Sequence, residues 1–258
     1  MFQQGTMTTE YDASKYGKSV GDEYDTLYPG DGLDTEATIL MLADLTNERH
    51  PRSLLEFGIG TGRIALGLVA KDIHVSGLDG SESMVAQLHD KPGAERIEVA
   101  IGDYRSTRTG DKHSVVLLAF NGILDPRGRQ AQRDIFKNAA AHLVPAGLFV
   151  VESFVLSDAQ RSGDWSIAPR YVGENHVELQ LMRFNISDSR VERTLVHLRP
   201  EGPKFVSVFD TYASPGELDL LGETAGFSLR CRYADWTGSE FTSTSSRHVS
   251  IYALDHPG

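Results

Sequence analysis

The chain has 258 residues, 40% hydrophobic and 24% charged, which is the make-up of an ordinary soluble globular protein of one large domain. Its 25 Lys and Arg against 36 Asp and Glu leave a net charge of −11, a surface that repels phosphate backbones and so disfavours nucleic acid or an anionic membrane as a partner. The lone cysteine, Cys231, excludes an internal disulfide and a cysteine metal cluster; it reads as a small buried hydrophobe on a strand, in a reducing cytoplasm.

In chain order, residues 1–33 are expected to form a tyrosine-rich lid. Tyr11, Tyr16, Tyr24 and Tyr28 lie in "EYDASKYGKSVGDEYDTLY", where an aromatic cover excludes water and offers phenol oxygens. Residues 34–258 then form one domain, opening on a helix from Asp34 to Leu45. "SLLEF" (Ser53 to Phe57) reads as a strand and "RIALGLVAK" as a helix. "HVSGL" is the next strand and "SESMVAQLHD" the next helix. "IEVAIG", "SVVLLAF" and "LFVVESF" follow as strands, with a helix at Arg129 to Leu143 before the last. Apolar strands alternating with helices predict a doubly wound α/β domain, a Rossmann-like, mostly parallel seven-stranded sheet with helices on both faces.

From about residue 165 to 213 the pattern changes to three longer alternating strands with no helix between them, predicting an antiparallel β insertion. "SPGELDLLGETAGF" then predicts a helix with Ser214 as N-cap, Pro215 at its first position, Glu217 closing a capping box and Gly226 marking its end. Two final strands, "SLRCRYADW" and "HVSIYAL", complete the domain. The longest apolar run, "VVLLAF", is far too short to span a bilayer, and no leader pattern is present, so a cytoplasmic location is expected.

The stretch "LLEFGIGTGR" (54–63) carries the chemistry. Gly58, Gly60 and Gly62 follow the first strand and precede a helix, the place where such a sheet binds its ligand. A dinucleotide fingerprint counted on from Gly60 needs a small residue where Arg63 stands, and no Walker-type lysine follows. Glu56, two residues before the first glycine, would face a pyrophosphate with a repulsion on the order of a kcal/mol or more. A cationic ligand reverses that sign, and S-adenosylmethionine, with a sulfonium, an ammonium and no phosphate, fits. Asp79 ends the second strand, where an acid accepts both ribose hydroxyls. Asp103, in "GDY" (Gly102, Asp103, Tyr104), ends the third, where an acid can accept from an adenine amino group.

These residues resemble the class I S-adenosylmethionine-dependent methyltransferase family. "LLEFGIGTGR", "HVSGLDGSESMV", "IGDY", "LLAFNGI" and "HLVPAGLFVVESF" match its successive motifs. The resemblance implies that Glu56, Phe57, Gly58 and Gly60 hold the methionine part and that Asp79 and Gly80 bind the ribose. It also implies that Gly102, Asp103, Tyr104 and Met84 surround the adenine, and that Ala119 and Phe120 lie near the methyl group. The product would be S-adenosylhomocysteine.

The layout also resembles bacterial natural-product methyltransferases, notably the sugar and lincosamide N-methyltransferases. A small-molecule acceptor is therefore expected, with a homo-oligomer possible. Asn121 stands where an acid or histidine would serve as base and takes no proton at neutral pH, which tilts the reading toward an amine acceptor. Tyr16 and Phe120 are the expected catalytic residues and Tyr24 a further cofactor contact; Tyr11, Asn121, Trp165 and Tyr171 are candidate acceptor contacts. O-methylation is the alternative. A nicotinamide-dependent oxidoreductase is the rival from another class, opposed by Glu56 and Arg63, and a cofactor-binding module without turnover is a third. His176 and Glu178 fall on one strand face, but the sequence shows no third ligand near them, so no metal is expected. His142 reads as a helix-end cap.

Overall fold

The computed structural model describes residues 34–255, so the segment with Tyr11, Tyr16, Tyr24 and Tyr28 lies outside the described residues. The chain opens on α1 (Thr35–Asn47), β1 (Ser53–Phe57), α2 (Arg63–Val69), β2 (His74–Asp79) and α3 (Glu82–His89). It continues through β3 (Glu98–Ile101), β4 (His113–Leu118), α4 (Arg129–His142) and β5 (Leu143–Phe154). Every residue of β1 and of β4 is buried, because helices cover both faces of these central parallel strands.

Sheet order is β10-β11-β5-β4-β1-β2-β3, with β10 (Phe227–Tyr233) and β11 (Arg247–Leu254) the last strands of the chain. β1 pairs in parallel with both β2 and β4, whereas β11 runs antiparallel between β5 and β10. The chain reverses its direction of winding beside β1, so the carboxyl ends of β1 and β4 flank the crevice where an open α/β sheet takes its ligand. One core, with Leu55, Phe57, Phe136 and Phe149, fills the face covered by α4. A second, with Leu54, Ile64, Leu68 and Val150, fills the face covered by α1 and α2.

The insertion is a separate four-stranded antiparallel sheet: β6 (Ser166–Val172), β7 (Val177–Asn185), β8 (Arg190–Arg199) and β9 (Gly202–Thr211). The strand beyond the three expected is β6, an edge strand whose residues are almost all exposed, which leaves no apolar alternation to mark it. Met182, Phe184 and Val191 turn one face of this sheet into the first core, beside Leu156 and Tyr212. α5 (Pro215–Glu223) follows with the expected capping box, Ser214 accepting from Glu217 N and the Glu217 carboxylate accepting from Ser214 N. This helix ends at Glu223; Gly226, at φ +83°, instead makes the turn into β10.

One expectation is corrected and one sharpened. Cys231 is half-buried rather than buried, because β10 is the edge strand of the main sheet. His142 caps the end of α4 as expected, but as a neutral ring rather than a cation. It is buried, its Nε2 accepts from Thr109 N at 3.1 Å and its Nδ1 donates to the Asn138 carbonyl at 2.8 Å. Burial lowers its pKa, so the neutral ring ties α4 to the loop before β4.

Candidate active site

The glycine loop is built by backbone geometry that side chains resist. Gly58, Gly60 and Gly62 lie at φ +71°, +56° and +79°, the left-handed region that glycine enters freely. Gly62 caps α2, and a Cβ there would come within 2.2 Å of Leu88 Cδ1. Close packing of this loop on α3 thus falls to Gly62, one position before Arg63. Gly62→Ala is expected to cost about 1–3 kcal/mol, read as a lower thermal midpoint; an unchanged midpoint would show that Leu88 moves aside freely. At Gly58 a Cβ would meet nothing within 4 Å among the described residues, so that side of the loop is open to a ligand as far as they reach.

Asp79 holds the loop in place. Its Oδ2 accepts from Gly60 N and its Oδ1 from Ser81 N, each at 2.8 Å. Gly60 is also close to Met84, whose Cε would lie 3.1 Å from a Cβ at that position. Ser81 caps α3 and accepts from Met84 N, so one short segment fixes Asp79, Gly80 and Met84 around the loop. Burial raises the Asp79 pKa, against the backbone N–H groups that favour the carboxylate.

Glu56 is buried, with 4% of its surface exposed, and its Oε2 has no hydrogen-bond partner among the described residues. Burial pushes its pKa up to about 8, opposed by the charge of Arg63 and reinforced by that of Asp79. A backbone hydrogen bond from Ala65 also favours its charged form, but a buried oxygen without a partner is costly unless something supplies a donor or positive charge. Glu56 beside the open side of Gly58 therefore fits the ammonium end of S-adenosylmethionine and disfavours a phosphate. Phe57 turns its ring into the core, stacked on Tyr104 at 6.2 Å and edge-on to His142 at 5.8 Å, which leaves its backbone for any ligand.

At the end of β3, Asp103 accepts from both Arg105 and Arg127, at 2.8 and 2.5 Å, and these hydrogen bonds hold its pKa down against burial. Arg127 is itself pinned to the buried Asp125. Gly102 N donates to Asp79 O at 2.8 Å, joining the ends of β2 and β3, and a Cβ on Gly102 would strike Thr107. Tyr104 packs inward on Phe57 and its hydroxyl donates to the Gly122 carbonyl at 3.3 Å.

After β4, the buried Ala119 precedes two residues with left-handed backbones, Phe120 at φ 52° and Asn121 at φ 66°. Such conformations cost about 1–3 kcal/mol for non-glycine residues and cluster at functional sites. Phe120 is 41% exposed, and the Arg63 guanidinium sits over its ring at 4.3 Å. Phe120 N donates to the Glu152 carboxylate at 3.1 Å, while Asn121 Oδ1 accepts from Phe154 N at 2.8 Å.

Glu56, Gly58, Gly60, Asp79, Gly80 and Met84 are thus interlocked around one loop, and Phe120 reaches it through Arg63. Trp165 and Tyr171 are exposed on β6 and its approach, where their ring contacts are with Arg183 and His176 of the insertion. The sequence reading missed Glu152, Asp125 and Arg127. Glu152 had a visible signal, a lone acid in the apolar run "LFVVESF"; Arg127 had none, because its role depends on folding back onto Asp103 across 24 residues.

Residues 54–147 match a methyltransferase domain family. Over 93% of its length the chain is 22% identical to the cypemycin N-terminal methyltransferase of a Streptomyces species, covering 98% of that protein. The structure of the CcbJ methyltransferase from Streptomyces caelestis superimposes with a TM-score of 0.86 at 29% identity, covering 95% of this chain and all of that one. S-adenosylmethionine-bound CalS10 from Micromonospora echinaspora, an amino pentose methyltransferase of calicheamicin biosynthesis, shares the fold with a TM-score of 0.68 at 22% identity, over 90% of this chain and 96% of its own. Among the described residues no helix is long and apolar enough to cross a membrane.

Proposed function

We propose, from the premise that the chain is an S-adenosylmethionine-dependent methyltransferase, that its acceptor is an amine nitrogen on a small natural-product intermediate such as an amino sugar. The observation that carries this reading is the end of β4. Asn121 takes no proton and spends its carbonyl oxygen on Phe154 N, and the Glu152 carboxylate is engaged by Phe120 N. A hydroxyl acceptor gains from a base at the reacting centre, whereas an amine reacts once its neutral form is bound. A relative named for an N-terminal methyltransferase and a neighbour named for an amino pentose support the amine.

When bound, S-adenosylmethionine supplies an activated methyl group on a sulfonium. In this reading the chain's residues orient and enclose. Glu56 accepts the ammonium, the Gly58–Gly60 backbone lines the methionine part, and Asp79 receives the ribose beside Gly80. Asp103, braced by Arg105 and Arg127, accepts from the adenine amine near Met84 and Gly102. Phe57 contributes through its backbone. Ala119 and Phe120 wall the reacting centre, so alignment and exclusion of water carry most of the catalysis. Tyr11, Tyr16 and Tyr24 are assigned to a cover over it, Trp165 and Tyr171 to the acceptor's outer edge, and the enzyme to the cytoplasm.

The test offers the enzyme an amino sugar nucleotide and its hydroxyl counterpart, each with S-adenosylmethionine, and reads products by mass spectrometry. Methyl gain on the amine alone is expected, with a rate that rises with pH up to the acceptor's own pKa. Equal methylation of the hydroxyl compound would remove the amine assignment.

A further inference from the structure

We infer that the inward face of the insertion sheet carries a site for a divalent transition metal, zinc being the best fit, built from His176, Glu178 and His197. His176 stands at the turn entering β7, Glu178 lies on β7, and His197 lies on β8 directly opposite Glu178 in the strand register. One ligand atom from each of the three residues lies within 4.8 Å of the other two. The sequence hid the third ligand, because His197 is 19 residues beyond Glu178 and the antiparallel pairing alone brings it back.

Two of the three spacings match the ligand separations of a tetrahedral metal site, and the third is held within 4.8 Å. His176 Nε2 is 3.3 Å from His197 Nδ1, and the latter is 3.4 Å from a Glu178 oxygen. Both are longer than good hydrogen bonds between such atoms, which centre near about 2.9–3.0 Å. A tetrahedral zinc with ligands at about 2.0–2.1 Å separates them from one another by about 3.3–3.4 Å. The two imidazoles lie nearly parallel, 21° apart, with facing nitrogens that compete for a single proton if no metal is present.

Burial points the same way. His197 is fully buried and Glu178 nearly so, whereas His176 is half-buried, at the open side of the cluster. The Nδ1 of His197 is the nitrogen turned to Glu178 and His176, so that atom is the one His197 offers to an ion. Two imidazoles and a carboxylate suit zinc in preference to magnesium or calcium. They leave a fourth position for water on the side of His176. Bound there, the ion would staple the β6–β7 hairpin to β8, strengthening the rim of the insertion rather than entering the methyl-transfer site.

The experiment uses full-length protein without a histidine tag, stripped with chelator and titrated with zinc chloride alone in the absence of S-adenosylmethionine. One equivalent is expected to bind in the micromolar range or tighter and to raise the thermal midpoint. Cobalt in its place should give the visible absorption of a tetrahedral site. Because truncating the buried His197 risks the fold, the variants are Glu178→Gln and His176→Ala. Each should keep the metal-free midpoint of the parent and weaken zinc binding at least tenfold. No binding at millimolar zinc, or equal binding by both variants and the parent, would overturn the assignment. Methyl transfer is not the readout, so failure here and failure of the methyltransferase reading are separate results.

Discussion

Asp79→Asn is expected to weaken binding of S-adenosylhomocysteine at least a hundredfold while leaving the protein folded. The carboxylate now accepts from Gly60 N on one oxygen and Ser81 N on the other, so it joins the glycine loop to the start of α3. Hydrogen bonds to a charged partner are each worth about 1.5–3 kcal/mol, and a hundredfold is about 2.7 kcal/mol. An amide in that position offers one acceptor for two backbone donors and sets an N–H against the other. The loop that should line the methionine part then loses its brace, and the ribose loses its acceptor. Calorimetry gives the affinity and circular dichroism the fold. Binding within a few-fold of the parent would mean that Asp79 is a loop brace and nothing more.

The second large effect concerns Glu56→Gln and runs in opposite directions for stability and binding. The native carboxyl has a pKa of about 8, against about 4.3 in an unfolded chain. The native state therefore binds this proton more tightly. Between roughly pH 4 and 8 the unfolded state gives it up while the folded state keeps it, so stability falls as pH rises across that window and levels off above it. Gln carries no proton to lose. At pH 8.5 the ligand-free variant should unfold at a higher temperature than the parent by several degrees, and the gap should close toward pH 4.5. In the same variant, affinity for S-adenosylhomocysteine should drop at least tenfold, because the ammonium loses its carboxylate. A pH-independent gap would show that Glu56 is ionised throughout.

The two expectations share a cause. A buried carboxyl kept at a cost to the folded state is a site reserved for a partner, and among the described residues Glu56 has an unpartnered oxygen and Gly58 an open side. Strain at Phe120 and Asn121 has the same character, with two adjacent non-glycine residues held in the left-handed region at the end of β4.

Much of this was legible in the sequence because it is local. Apolar runs marked the parallel strands, the glycine spacing marked the loop, and Glu56, Asp79 and Asp103 stood at successive strand ends. Ser214, Pro215 and Glu217 announced α5 because a capping box is made within four residues. What escaped was non-local or lacked pattern. β6 escaped because an exposed edge strand has no inside face to alternate against. The lone acid Glu152, whose partner is the Phe120 backbone in the loop after β4, was passed over, and Arg127 escaped because its partner Asp103 lies in the loop after β3. The His176, Glu178 and His197 cluster escaped for the same reason, and it turns an expected absence of metal into a testable site. Cys231 was misjudged from position alone, since edge exposure decides its state, and His142 caps its helix as a buried neutral ring rather than a cation.

Proton counting on cofactor binding tests the central claim, that Glu56 receives the cationic end of S-adenosylmethionine. Calorimetric titration with S-adenosylhomocysteine at pH 7, repeated in two buffers of different ionisation enthalpy, gives the number of protons released per ligand bound. A carboxyl with a pKa of about 8 is mostly protonated at that pH, and pairing with an ammonium drives it to the carboxylate. The account predicts release of close to one proton by the parent protein and none by Glu56→Gln. Tight binding with the same proton count in both proteins, or no binding by the parent, would contradict it.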